Sequence, residues 1–220
     1  MSKIAKIVFC VVVLLLQAGI ARADLMAVWD FGDSSSYYTT AATSENVNGT
    51  PTLTLAGGEL DDNGKDGVAF ADAAGNSHVA GQAAAWEDVA ISDGDDASWI
   101  VTIDTTGWQD LSFYFDYKAW ESSTTTLDFD YSLDGGVTWI SILDDTTITA
   151  DKAYHSFSYD LSSITALNNQ SSVMLRIDDL DEYGNGKFAF DNLQITGTVV
   201  PEPLTLMFLA IGAAGIVRRK

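Results

Sequence analysis

The sequence predicts an all-β fold, an antiparallel β-sandwich, from three observations. Apolar and polar residues alternate with period two along many short stretches, and Gly, Asp, Asn and Ser punctuate them. Little of the chain carries the spacing of an amphipathic helix. Alternation of this kind gives each strand one buried and one solvated face, the habit of antiparallel sheets.

Strands are expected at residues 26–31 ("MAVWDF") and 51–56. Residues 57–85, rich in Gly, Ala and Asp, read mostly as loop, and strands resume at 86–91 and 97–103. In "LSFYFDYKAW", Leu111, Phe113, Phe115 and Tyr117 fall on one face, and Tyr114, Asp116, Lys118 and Trp120 on the other. "TLDFDYSL" alternates Leu127, Phe129 and Tyr131 with Asp128 and Asp130. Strands at 137–142 and 153–160 lead to "SVMLRIDDL", which sends Val173, Leu175 and Ile177 inward and Arg176 and Asp178 outward. The last strand, 187–197, runs Phe188, Phe190, then Leu193, Ile195; this slip in apolar phase predicts a β-bulge at Asp191–Asn192. No repeat of fixed period is visible, which argues against a propeller.

The two ends differ from the middle. Lys3 and Lys6, the apolar run Ile7–Leu16 and the small residues Ala21 and Ala23 have the order of a secretory signal cleaved after Ala23. The only cysteine, Cys10, lies inside that run, so the mature chain cannot form a disulfide. At the other end stand Pro201-Glu202-Pro203, an apolar stretch from Leu204 to Val217, and Arg218-Arg219-Lys220. These three parts, in order at the chain end, resemble the sorting segment of PEP-CTERM proteins. The resemblance implies export, processing by an exosortase-type enzyme, and delivery to the cell surface or extracellular matrix of a bacterium. Residues 204–217 would contact the membrane before processing, although the stretch is shorter than the ~20 residues of a full helical span. The expected division is a signal peptide over 1–23, a β-sandwich domain over 24–198 and a sorting segment over 199–220.

Charge narrows the partners. The two end segments hold six of the 11 Lys and Arg and one of the 31 acidic residues, leaving five bases against 30 acids, a net charge of −25, between them. Nucleic acid is excluded as a partner, because binding it depends on neutralising phosphates with Lys and Arg. All six Trp lie in this middle segment and supply a large apolar core, so the acidity does not imply disorder.

Ser132-Leu133-Asp134-Gly135-Gly136-Val137-Thr138-Trp139 fits S-x-D-x-G-x-T-W and resembles the Asp-box of sialidase propellers. A single box in about one domain reads as a hairpin: two glycines at a tight turn, an aspartate bonding the turn backbone, and a tryptophan packed beneath. The aromatic first strand and the bulged last strand are similar to those of jelly-roll domains of the carbohydrate-binding-module type. In such modules a calcium ion often sits where the first and last strands meet. Carried over, this points to Asp191 with Asp30 or Asp33 as ligands, and calcium needs six to eight oxygens. Asp191 has the alternative of capping the bulge through backbone N–H groups. Residues 59–67 and 92–98 read as solvated acidic turns, and "DDLDEYGNG" departs from an EF-hand loop.

A glycan-binding face is expected from Tyr114 and Trp120 beside Asp116, with Asp128 and Asp130 on a neighbouring strand, because sugar C–H faces stack on rings and hydroxyls bond carboxylates. Catalysis has a thin inventory. His78 and His155 lack a recognisable nucleophile partner, and neither G-x-S-x-G nor E-x-D-x-x-E occurs. The expectation is a non-enzymatic, exported protein that associates with extracellular polysaccharide. A polysaccharide-active enzyme using Asp pairs is the alternative, as is a purely structural surface protein.

Overall fold

The computed structural model describes residues 23–32, 40–61, 65–88, 97–120, 126–180 and 187–200. Residues 1–22 of the expected signal peptide, Asp33 and residues 201–220 of the expected sorting segment lie outside them, and with them the helices expected at the two ends; Val199, expected in the sorting segment, ends the last strand. In chain order the strands are β1 (Asp24–Trp29), β2 (Ser44–Glu45), β3 (Thr52–Ala56), β4 (Glu59–Leu60), β5 (Lys65–Asp66), β6 (Phe70–Ala71), β7 (Ser77–His78) and β8 (Gln82–Asp88). They continue as β9 (Ser98–Ile103), β10 (Trp108–Ala119), β11 (Thr126–Ser132), β12 (Ile140–Thr147), β13 (Tyr154–Asp160), β14 (Val173–Asp178) and β15 (Phe188–Val199), with one short 3-10 turn at Thr165–Leu167.

The strands form two main antiparallel sheets. The first runs β13-β10-β15-β1-β2, with β8 lying beside the early part of β15 and bringing β4 and β5 with it. The second runs β12-β11-β14-β9-β3. From β9 onward the chain crosses from one sheet to the other at each connection except β11 to β12, which pair as a hairpin within the second sheet.

That core is aromatic. Trp99 from the second sheet stacks on Phe190 from the first at 4.1 Å and 7°, and Phe113 stacks on Phe129 across the same gap at 4.9 Å. Trp86, Phe115 and Phe188 extend the cluster. Such pairs add about 0.5–1.5 kcal/mol each beyond the area they bury. The alternation in β10 behaves as its spacing requires: Leu111, Phe113, Phe115, Tyr117 and Ala119 enter the core.

Two expectations needed adjustment. Among the described residues of 57–85, read mostly as loop, a strap carries four two-residue strands, and β8 starts at Gln82 rather than at residue 86. Its run Ala83-Ala84-Ala85 carries no period-two signal, because alanine is small enough for either face. In the Asp-box hairpin, β12 begins at Ile140, later than residue 137, because the turn is long: Tyr131 is the last residue of β11 to pair with β12, opposite Ile140, and residues 133–139 are loop.

Candidate functional site

The phase slip in the last strand is a β-bulge. Tyr114 pairs with Gln194 and Asp116 with Asp191, so Phe115 stands opposite both Asn192 and Leu193. Asn192 takes a positive φ of 56°, which asparagine tolerates better than most residues. Leu193 and Ile195 remain in the core, which leaves Asp191, Asn192, Gln194 and Thr196 for the outer face, beside Ser112, Tyr114 and Asp116 of β10.

The strap crosses this outer face. The Asp191 carboxylate accepts the Val68 N–H at 2.8 Å and the Asn192 N–H at 2.8 Å, and it is 1% exposed. A Cβ on Gly67 would overlap it, so the glycine permits the approach. Burial pushes the Asp191 pKa up to about 7, against the two N–H bonds and with the help of nearby Asp116 and Asp30. Asp116 accepts hydrogen bonds from the Tyr114 hydroxyl (2.6 Å), the Ser156 hydroxyl (2.6 Å) and Asn192 Nδ2 (2.7 Å). Burial and the Asp116 acceptor push the Tyr114 hydroxyl up to about 12, so it remains a donor at neutral pH.

Beyond the strap the β6–β7 hairpin is clamped by a histidine. His78 Nδ1 lies 2.9 Å from Asp30 Oδ2 and Nε2 lies 3.1 Å from Asp72 Oδ2, and its ring stacks on Phe70 at 4.4 Å. Both neighbours are carboxylates, an arrangement that favours the imidazolium, in which both ring nitrogens donate. Burial works to lower the His78 pKa, but the bonds and charges of Asp30 and Asp72 outweigh it and raise the value. The other Asp30 bonds come from the Thr43 hydroxyl and, at 3.1 Å, the Gly32 N–H.

Between hairpin and sheet lies an open cleft of about 380 Å³. Its floor is two cross-strand pairs, Ser112 with Thr196 and Tyr114 with Gln194. Its wall is Phe70–Ala73, tied to the floor where the Ala73 N–H donates to Gln194 Oε1 at 3.0 Å. The floor combines hydroxyls, an amide and an aromatic ring.

The expected ligand residues are distributed unevenly. Tyr114 lines the cleft. Asp116 shares its face but is buried and already accepts from three donors. Trp120 lies across the strap from Tyr114, ~20 Å along β10 at about 3.3 Å per residue. There it packs with Tyr154 on Ala83, Ala85 and Ala189, and the Lys118 ammonium sits 5.0 Å from its ring.

Asp128 and Asp130 belong to the outer face of the other sheet. Asp130 accepts from Arg176 (Nη2, 2.6 Å), whose guanidinium lies 4.3 Å over Trp139 of the Asp-box hairpin. Asp128 converges with Asp145 and Asp179, each offering a carboxylate oxygen within 4.8 Å of the others. Burial raises the Asp128 pKa, and Asp144, Asp130 and Asp145 raise it further. This triad, a group that can hold a metal ion, joins three separate strand ends and has no local signature. Asp191 lies near enough to Asp30 to feel its charge, while Asp30 is engaged by His78.

Sequence reasoning missed Phe70, Asp72 and His78, which come together only through the strap. It also missed Gln194 and Thr196, although their alternation with Leu193 and Ile195 is a signal that places them on the outer face.

No protein-family model and no curated protein matches the sequence. Among solved structures the chain is similar to a mutant CBM29-2, a family 29 carbohydrate-binding module, complexed with mannohexaose. That likeness has 11% identity, covers 81% of this chain and 94% of the other, and has a TM-score of 0.45. The CBM22-1 xylan-binding domain of Paenibacillus barcinonensis Xyn10C is 12% identical over 83% of this chain and 100% of its own, with a TM-score of 0.40. The Endo-D glycoside hydrolase domain of Streptococcus pneumoniae R6 is 16% identical over 77% of this chain and 27% of its own, with a TM-score of 0.37. At these identities and TM-scores the likenesses carry no weight for what the cleft holds.

Proposed function

We propose that this chain is an exported, non-catalytic carbohydrate-binding protein with a jelly-roll sandwich, held at the cell surface or in the extracellular matrix. The observation that carries the reading is the cleft. Ser112 and Thr196 hydroxyls, the Gln194 amide and the Tyr114 ring converge in an open groove about 380 Å³ in volume. Sugars are bound by such a combination, with C–H faces on a ring and hydroxyls on polar side chains. Export and exosortase processing rest on residues 1–23 and 199–220, and extracellular polysaccharide is the proposed partner.

A non-catalytic role draws support from how the nearby acids are used. Glycosidases need two carboxylates flanking an open site. Here Asp116 serves Tyr114, Ser156 and Asn192, Asp191 serves the strap, and Asp72 serves Asn76 and His78.

The calcium implied by the jelly-roll resemblance fits best at Asp128, Asp145 and Asp179, where three carboxylates meet. Asp191 with Asp30 and Asp33 is the alternative. Its fit is weaker, because both Asp191 oxygens already accept backbone N–H groups, although the buried, unpartnered Asn192 Oδ1 stands beside it.

The test is co-sedimentation of the full chain with the producing organism's extracellular polysaccharide, comparing wild type with Thr196→Trp, which fills the cleft. Retention lost in the variant is the expected result. Equal retention of both proteins removes the cleft from the account, and release of reducing sugar establishes the enzyme instead.

A further inference from the structure

The charges around the cleft are already committed. Asp72 is the one charged residue among those lining it, and it accepts from Asn76 N (2.8 Å), Asn76 Nδ2 (2.9 Å) and His78 Nε2 (3.1 Å). Among the described residues, the cations on this side of the molecule point elsewhere. His78 is shared between Asp30 and Asp72, Lys65 binds Asp61 and Glu87, Lys187 binds Glu87, and Lys118 lies over the rings of Trp120 and Tyr154. His155 binds Asp151, and Lys152 stands at the Ala119 end of β10, where its backbone N–H bonds the Ala119 carbonyl. Arg176 is on the other sheet with Asp130 and Asp178.

On the assumption that the cleft is the glycan site proposed above, we infer that its ligand is a neutral polysaccharide and that acidic ones are refused. A uronate or sulfate group entering the groove finds no uncommitted cation, since His78 is held by Asp30 and the buried Asp72, and gives up its hydration without replacement; an uncompensated charge of this kind is costly. Neutral hydroxyls find the Ser112 and Thr196 hydroxyls, each donor and acceptor at once. They also find the Gln194 amide, whose oxygen is taken by the Ala73 N–H and whose Nε2 group is left to donate. The net charge of −25 between the two end segments repels polyanions at longer range as well. A protein this acidic thus selects within a matrix by chemistry: it holds the neutral strands and slides past the charged ones.

Affinity electrophoresis of the full chain tests this with glucan, mannan, galactan and xylan as neutral probes, and with polygalacturonate and alginate as acidic ones. At least one neutral probe should retard the wild type, equally at low and high salt, and Thr196→Trp and Ser112→Trp should each abolish the shift. Neither acidic probe should retard it, with calcium or with chelator. Thr196→Lys places an ammonium in the groove and should raise retention by an acidic probe about two- to fivefold at low salt, the worth of one exposed ion pair. Retardation of the wild type by an acidic probe in preference to every neutral one overturns the inference while leaving the glycan reading in place. Retardation by no probe overturns both.

Discussion

Asp116 and Asp191 are cross-strand partners on β10 and β15, and their charges are met in different ways. Asp116 accepts from three side chains, whereas Asp191 accepts only two backbone N–H groups while almost wholly buried. Burial foremost, with Asp116 and Asp30 assisting, lifts Asp191 from 3.8 to about 7.

A raised carboxylate makes the folded state hold a proton that the unfolded chain has released. This group has no effect on stability below about pH 4, costs progressively more from about pH 4 to 7, and costs a constant amount above. Three pKa units correspond to a ceiling on the order of 4 kcal/mol. Asp191→Asn removes that penalty, so the variant should compare with wild type more favourably at pH 8 than at pH 5, by about 1–3 kcal/mol in urea unfolding. A difference between the two proteins that is the same at both pH values would sink the assignment.

His78 has the opposite dependence. Its raised pKa means that the clamp between Asp30 and Asp72 is complete below the unfolded value of 6.5 and fades as pH rises through the folded value. The lowered pKa values of Asp30 and Asp72 mean that their share is complete above 3.8 and is lost in acid. The hairpin should therefore be best held between about pH 4 and 6.5. Protection factors for the amides of residues 70–78, corrected for intrinsic exchange, should fall toward pH 8 in wild type and be flat in His78→Gln. A slope surviving in the variant assigns the effect to another group.

Most of the sandwich was written in period two, and the bulge was visible as a slip of one residue between Phe190 and Leu193. The strap was not. Gly67, Val68 and Ala69 have no pattern, and they hold their course because Asp191, more than a hundred residues later, accepts the Val68 N–H. The same reason hid the Asp128, Asp145 and Asp179 group: convergence from three strand ends leaves no spacing to find. Asp116 illustrates the converse limit, since its outward face was correctly placed while two of the three donors that engage it, Ser156 and Asn192, come from β13 and β15.

Gly67 offers a steric test of the strap. A methyl group there would overlap the Asp191 carboxylate and approach the Gln82 carbonyl oxygen at 3.0 Å. Neither can retreat without giving up a hydrogen bond or moving backbone. Gly67→Ala should destabilise the fold by about 1–3 kcal/mol, as overpacking typically does. A change in urea midpoint equivalent to less than about 0.5 kcal/mol, the range of ordinary surface substitutions, would mean that the strap is not seated there.

The Asp-box hairpin should prove structural. Ser132 Oγ accepts the Gly136 N–H at 2.9 Å and donates to Asp134 Oδ1 at 2.8 Å, and it is buried. Ser132→Ala leaves those groups short of a partner and should cost about 1–2 kcal/mol, with glycan retention unchanged. Loss of retention at unchanged stability would reassign the box to binding.

Calcium is the last question, and two variants answer it. Three converging carboxylates repel one another until a cation arrives; the pKa of Asp128 is raised first by burial, then by the charges of Asp144 and Asp130, with Asp145 of the triad adding to them. If the triad is the site, calcium at a hundred times its dissociation constant should stabilise the fold by about 2.7 kcal/mol. The resulting rise in Tm, reversed by chelator, should disappear in Asp128→Asn and persist in Asp191→Asn. The reverse result would move the ion to the junction of the first and last strands, where Asp191 would then have its charge met by the metal and its pKa would drop. No rise in either protein, at millimolar calcium, would leave both acidic groups as solvated or hydrogen-bonded structure and remove calcium from the account of how this sandwich is held.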